Sequence, residues 1–272
     1  MAYNRPRLSP SELALLSELD RRQQTRITTG EAKDLIGGAA AKVVASMARK
    51  GVLDRVGRGV YVMRPLRAIG RPWSVSVYTT VAQALSGKRY YIGGLAALTV
   101  HRLTDQMHAS VVDVFLAERR TPQIIANARV RFHSVPAAEL EVGLASVIVE
   151  QVPVWMSDPE RTLADALNYP YAFGGVAQGV RAVDHALSKV NLDQLVTYAL
   201  RLSGMSSLQR LGVLMERHGA PAQQLARIED QVRNTKNVPA MVPGPRRGPV
   251  NSRWHISEND LTNTSDGSPT RT

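Results

Sequence analysis

Apolar residues recur along the first part of the chain at spacings that change from helical to extended and back. Leu13, Leu16 and Leu19 follow Ser9-Pro10-Ser11-Glu12, a capping box with proline at the first helical position, and predict a helix to about Arg22. Thr28-Thr29-Gly30-Glu31 is a second capping box, and the short helix behind it has Ala32, Leu35 and Ile36 on one face. Gly37-Gly38 makes a turn. A third helix then runs from about Ala39 to Lys50 and stops at Gly51, a residue suited to the position just past a helix end. On a helical wheel, Ala40, Val43, Val44 and Met47 fall on one side of it, and Lys42, Ala45, Ser46 and Arg49 fall on the other. From Val52 to Val62, two β-prone runs flank Gly57-Arg58-Gly59, which predicts a hairpin with Arg55 and Arg58 near its tip.

Helix, short helix, turn, helix and basic hairpin in this order spell a winged helix-turn-helix. The small alanines of the third helix suit close approach to the floor of a major groove. Lys42, Ser46 and Arg49 beside them suit phosphates and base edges. Arg55 and Arg58 would hold phosphates or the adjacent minor groove, with Lys33 and the Arg5/Arg7 arm as weaker backbone contacts.

Arg64-Pro65 and Arg71-Pro72 bracket an expected linker. Beyond it the pattern predicts a helix over Val75–Leu85, an extended Lys88–Ile92, a helix over Leu95–Arg102, and strands at Val111–Leu116 and Val130–His133. Val147–Val154 holds one or two more strands, and Ser157-Asp158-Pro159-Glu160 reads as a third capping box ahead of a helix through Leu163 and Leu167. After Gly174-Gly175 the pattern is wholly helical, near 176–189, 191–203 and 206–218. From Asn234 onward, proline, glycine, serine and threonine dominate, and the composition predicts a mostly disordered tail. The expected architecture is α+β: a winged helix over 1–66, an α+β domain over 75–232 ending in a helical bundle, and a flexible tail over 233–272.

Charge sharpens the first part of this picture. The 272 residues carry 34 Lys+Arg against 23 Asp+Glu, a net +11. Residues 1–70 hold 13 of those cations and 6 of the acids, net +7, so most of the excess lies in the first quarter. A concentrated basic field captures polyanions, nucleic acid being the usual one. Cysteine is absent, which excludes disulfides, thiolate zinc sites and cysteine nucleophiles, and fits a reducing compartment. No apolar run approaches the roughly 18 residues of a membrane span, and MAYNRPRLSPSE lacks the apolar stretch of a signal peptide. A cytoplasmic protein with no membrane partner is expected.

Catalytic constellations are missing from the sequence. The histidines at 101, 108, 133, 185, 218 and 255 show no metal-ligand spacing, and there is no nucleophile elbow or P-loop lysine. Asp158 and Glu160 are read as capping residues and Asp165 as a helix-surface charge. Ile92-Gly93-Gly94 followed by Asp113 is the nearest approach to chemistry. Nucleotidyltransferases pair such a glycine turn with two strand carboxylates that hold two metals. Here Phe115 occupies the second position, so no enzyme, catalytic residue, metal ligand or cofactor is expected, and a degenerate relative of that fold stays open.

Several strings occur together in a recognisable order. They are Gly51-Val52-Leu53 with Arg58-Gly59-Val60-Tyr61, Tyr91-Ile92-Gly93-Gly94-Leu95-Ala96-Ala97-Leu98, Leu103-Thr104-Asp105-Gln106, and the run Val154 to Asp165. Phe173-Gly174-Gly175 and Leu208 to Glu216 follow. The chain, over roughly residues 8–220, resembles the AbiEi-type antitoxins of bacterial type IV toxin–antitoxin systems. That resemblance implies an N-terminal winged helix that binds inverted repeats in its own promoter as a repressor, with two protomers on the DNA. It also implies a C-terminal domain that counters a cognate nucleotidyltransferase-like toxin, often without stable binding, and no enzymatic activity. Arg102 departs from the pattern, since glycine is expected after His101. Two other readings stand beside this one: a winged-helix module that docks a protein, and a residual nucleotidyl- or phosphoryl-transfer enzyme around Gly93, Gly94 and Asp113.

Overall fold

Ser9 and Thr28 each cap a helix by the reciprocal pattern their sequence promises. In the computed structural model, which describes residues 6–64, 76–105, 111–125, 128–149, 152–246 and 248–259, they start α1 (Pro10–Arg21) and α2 (Thr29–Ile36). The strand β1 (Arg26–Thr28) lies between them, and α3 (Ala40–Arg49) follows α2. Gly51 at φ +68° closes α3: its N–H donates to the Ala48 carbonyl at 3.1 Å, and that of Val52 to the Met47 carbonyl at 2.9 Å. This is the glycine-terminated turn that satisfies the last helical carbonyls. β2 (Leu53–Gly57) and β3 (Val60–Met63) then form the hairpin, and β1 joins it to give an antiparallel sheet of order β1-β3-β2. Ala40, Val43, Val44 and Met47 are the buried residues of α3, packed with Leu15, Leu19, Ile27 and Tyr61. The side of α3 read as the packing side is the one that packs.

α4 (Val77–Ala84) packs on β2 and β3, which corrects the expected boundary. The chain divides into one unit of residues 1–89 with 122–130 and 147–154, and a second of 90–121, 131–146 and 155–272. The helix expected at the start of the second domain therefore closes the first. The linker expected between Pro65 and Pro72 lies outside the described residues.

A six-stranded sheet runs through β4 (Tyr90–Gly93), β5 (Val111–Leu116), β6 (Gln123–Ile125), β7 (Ala128–Ser134), β8 (Leu144–Val149) and β9 (Val152–Ser157), in the order β6-β7-β5-β4-β9-β8. β4 is antiparallel to β5 and parallel to β9. α5 (Gly94–Val100) leaves β4 directly. Then come α6 (Pro159–Asn168), α7 (Val176–Ala186), α8 (Leu192–Leu202), α9 (Met205–Arg217) and α10 (Ala222–Val232), which share one apolar core with Tyr91, Phe115 and Phe173. The architecture is mixed α+β. Among the described residues no helix is long and apolar enough to cross a membrane.

Two further expectations are corrected here. Asp158, not Ser157, caps α6, accepting from the Arg161 N–H at 2.7 Å. The Ser157 hydroxyl instead meets Thr162 Oγ1 at 2.8 Å, and Glu160 accepts from the backbone N–H of Asn191 at 2.8 Å. The second correction is the tail up to residue 259; the rest of it, 260–272, lies outside the described residues. Residues 234–246 and 248–259 form a packed strap that includes the short pair β10 (Val250–Asn251) and β11 (Ile256–Ser257). Trp254 is fully buried and lies over Gly212 of α9, where a Cβ would stand 2.2 Å from its ring. Gln209 donates to the carbonyls of Asn237 and His255, and Arg210 to those of Ala240 and Met241, so α9 side chains hold the strap's backbone. Proline and glycine make such a segment irregular, but Met241, Trp254 and Ile256 give it enough apolar surface to anchor.

Candidate nucleic-acid interface

The acidic residues of the first unit decide which of its cations remain available. Glu18 takes Arg21 and Arg22, each at 2.6 Å, and Asp54 takes Arg64 at 2.6 Å. Glu31 closes its capping box on the Thr28 N–H at 2.6 Å. Glu12 is buried and receives Lys50 Nζ at 2.6 Å and the Ser9 N–H at 2.6 Å. Burial pushes the Glu12 carboxyl up, and the hydrogen bonds from Lys50 and the Ser9 N–H outweigh it, holding the group down at about 2.

Lys42 and Arg49 are exposed on α3, on the side away from the core, and Ala45 lies half-buried between them. Lys33 is exposed on α2, Arg55 on β2 and Arg58 in the hairpin turn. None of these five forms an ion pair among the described residues. Ser46 is different. It is half-buried on α3, one turn before Lys50. Arg7 is exposed, and Arg5 lies outside the described residues.

The hairpin tip is held in place. Gly57 pairs with Val60, leaving Arg58-Gly59 as a two-residue tip with Gly59 at φ +70°. The Gly59 carbonyl accepts the Thr29 N–H at 2.8 Å and the Thr29 hydroxyl at 3.3 Å. That N–H is one of the unpaired donors at the start of α2, so the tip is tied to the helix before α3. Arg55 Nε donates to the Gly57 carbonyl at 3.3 Å, which turns its guanidinium toward the tip.

The enzyme reading fares worse on geometry. Asp113 is buried beside the Gly93-Gly94 turn, but Arg131 binds it through two 2.8 Å hydrogen bonds and His133 Nε2 meets it at 2.7 Å. A guanidinium thus stands against both carboxylate oxygens that a metal would need. Phe115 stacks between Tyr91 and His133, with ring centroids 4.7 Å from each. No group of three acidic or histidine side chains able to hold a metal occurs among the described residues. Asp165 is buried rather than at the helix surface: it accepts Arg161 Nε at 2.7 Å and the Tyr91 hydroxyl at 2.9 Å. Burial pushes its carboxyl up to about 6, against the pull of Arg161. Arg102 takes φ +56°, the conformation glycine favours, and still completes the end of α5, with Leu103 N–H on the Leu98 carbonyl at 2.8 Å.

No family model matches this chain, and no curated protein matches it. Among solved structures, the crystal structure of the RV2827C protein from Mycobacterium tuberculosis is similar, with a TM-score of 0.68 at 16% identity, over 93% of this chain and 92% of that one. The likeness extends over nearly the whole of both chains and is one of fold.

Proposed function

We propose that the first unit is a winged helix-turn-helix that binds double-stranded DNA, with α3 in the major groove and the β2–β3 hairpin as its wing. One observation carries the reading. Glu12, Glu18 and Asp54 are engaged with Lys50, Arg21, Arg22 and Arg64, while Lys42, Arg49, Arg55 and Arg58 stay exposed along α3 and the hairpin and form no ion pair among the described residues. Lys42 and Arg49 are the base-edge and phosphate contacts of the groove, Arg55 and Arg58 those of the wing, and Lys33 a backbone contact. The resemblance to AbiEi-type antitoxins supplies the biological half: repression of its own promoter by two protomers on inverted repeats, and protection against a cognate nucleotidyltransferase-like toxin. No catalytic step is assigned to this chain.

Fluorescence anisotropy on the DNA upstream of its own gene, against a scrambled duplex of equal length, tests the first half. Tighter binding to the upstream duplex is expected, and equal weak binding to both would leave the unit as a protein-docking module. Co-expression with the adjacent gene product tests the second, with survival of the host as the expected outcome.

A further inference from the structure

We infer that Glu12 is a positioning residue for sequence reading: its buried carboxylate fixes the last turn of α3 against α1 and so sets which α3 side chains face the groove. The inference rests on the DNA-binding reading above. The two capping boxes of this unit provide an internal control. Glu31 and Glu12 occupy the same position in the same motif, yet Glu31 is exposed and bonds only within its own cap, whereas Glu12 is 2% exposed. A cap needs only the Ser9 contact. Glu12 Oε2 takes that one and also the Lys50 ammonium, each at 2.6 Å. Lys50 is the residue that ends α3, so the carboxylate grips the end of that helix from α1.

The rest of the α3 contact is apolar, through Val43, Val44 and Met47. Apolar contact is non-directional and leaves rotation of the helix about its own axis weakly specified. Charge-assisted hydrogen bonds are directional and supply that specification. Rotation matters because Lys42 and Arg49 are useful only while they point at the groove. Glu12 also takes Lys50 away from the reading face and leaves it to Lys42, Ala45, Ser46 and Arg49.

The full-length protein is to be titrated with the upstream and scrambled duplexes, as the wild type and as Lys50→Met, Lys50→Arg and Glu12→Gln. Lys50→Met leaves the Ser9–Glu12 cap intact and is expected to fold. The preference for the upstream duplex should fall about ten-fold in Lys50→Met and Glu12→Gln, the scale of one misread base pair, with binding to the scrambled duplex unchanged. Lys50→Arg, which keeps the ion pair, should keep the preference. Equal weakening on both duplexes would make Lys50 a phosphate contact and overturn the inference, as would an unchanged preference. Residual dipolar couplings on the same proteins report the rotation of α3 relative to α1 without DNA. A changed α3 orientation with α2 unmoved is expected, and an unmoved α3 overturns the inference. A wild type that shows no preference for either duplex refutes the DNA reading and the inference that rests on it, whereas a preferring wild type with unaffected variants refutes the inference alone.

Discussion

Arg161 of α6 and Arg49 of α3 carry the same guanidinium in opposite circumstances. Arg161 is fully buried, with Asp165 on Nε, the carbonyls of Glu139 and Val142 on Nη1 and the Tyr91 hydroxyl on Nη2. Arg49 is exposed and forms no ion pair among the described residues. The contrast extends beyond the pair. In the second unit Arg131 is bound to Asp113, and Arg253 to Glu216 and Glu229. In the first, Lys42, Arg49, Arg55 and Arg58 form no such pair among the described residues. Charge in one place organises the fold, and in the other it is available to a polyanion. Net charge alone does not separate the two uses; the acid partners do.

The largest effect that would sharpen this contrast is Arg161→Ala. It strands Asp165 in the core and should cost about 3–5 kcal/mol, read by denaturant unfolding, because a buried charge loses its partner. Gly212→Ala comes next. A methyl group 2.2 Å from the Trp254 ring must displace the strap, at about 1–3 kcal/mol, with a red shift of tryptophan emission as Trp254 meets water. On the outward-facing side, Arg49→Ala and Arg58→Ala should leave the unfolding midpoint unchanged. Arg49→Ala should cost about 1–3 kcal/mol of binding with relaxed specificity, whereas Arg58→Ala should weaken all duplexes alike.

Acid titration gives a smaller, signed effect. The Glu12 carboxyl is lower in the folded chain, about 2, than its ordinary value of 4.5. Its contribution to stability is therefore fully present above 4.5 and is lost as pH falls through that interval toward 2. The wild type should lose stability over this range relative to Glu12→Gln, in matched unfolding curves. The smallest effect expected is a gain. Arg102→Gly relieves a left-handed backbone at the end of α5 and should raise stability by up to about 1 kcal/mol.

Local signals carry well from sequence to structure. The first two capping boxes, the buried side of α3, Gly51 at its end and the glycine-bearing hairpin tip are all encoded within a few residues of where they act. The failures share a different cause. Asp165 lies at a helical position that reads as outward, and its partner Tyr91 is far away in the chain. The strap around Trp254 reads as disordered by composition because its seat, Gly212 with Gln209 and Arg210, belongs to another helix. β1 is silent in the sequence because so short a strand carries too little pattern, although Ile27 is buried and the strand completes the sheet. Within the candidate interface, the exposed cations are legible one by one. Their lack of acid partners is not, since it depends on where Glu12, Glu18 and Asp54 turn.

The salt dependence of binding to the upstream duplex tests the central claim most directly. It is to be measured between about 50 and 200 mM salt for the wild type and for a variant with Lys42, Arg49, Arg55 and Arg58 changed to alanine. If these four side chains meet DNA phosphates, the slope of log affinity against log salt should become shallower by about 3.6 units, since each neutralised phosphate contributes about 0.9 to it. An unchanged slope in a folded variant would contradict the account and return the first unit to the role of a protein-docking module.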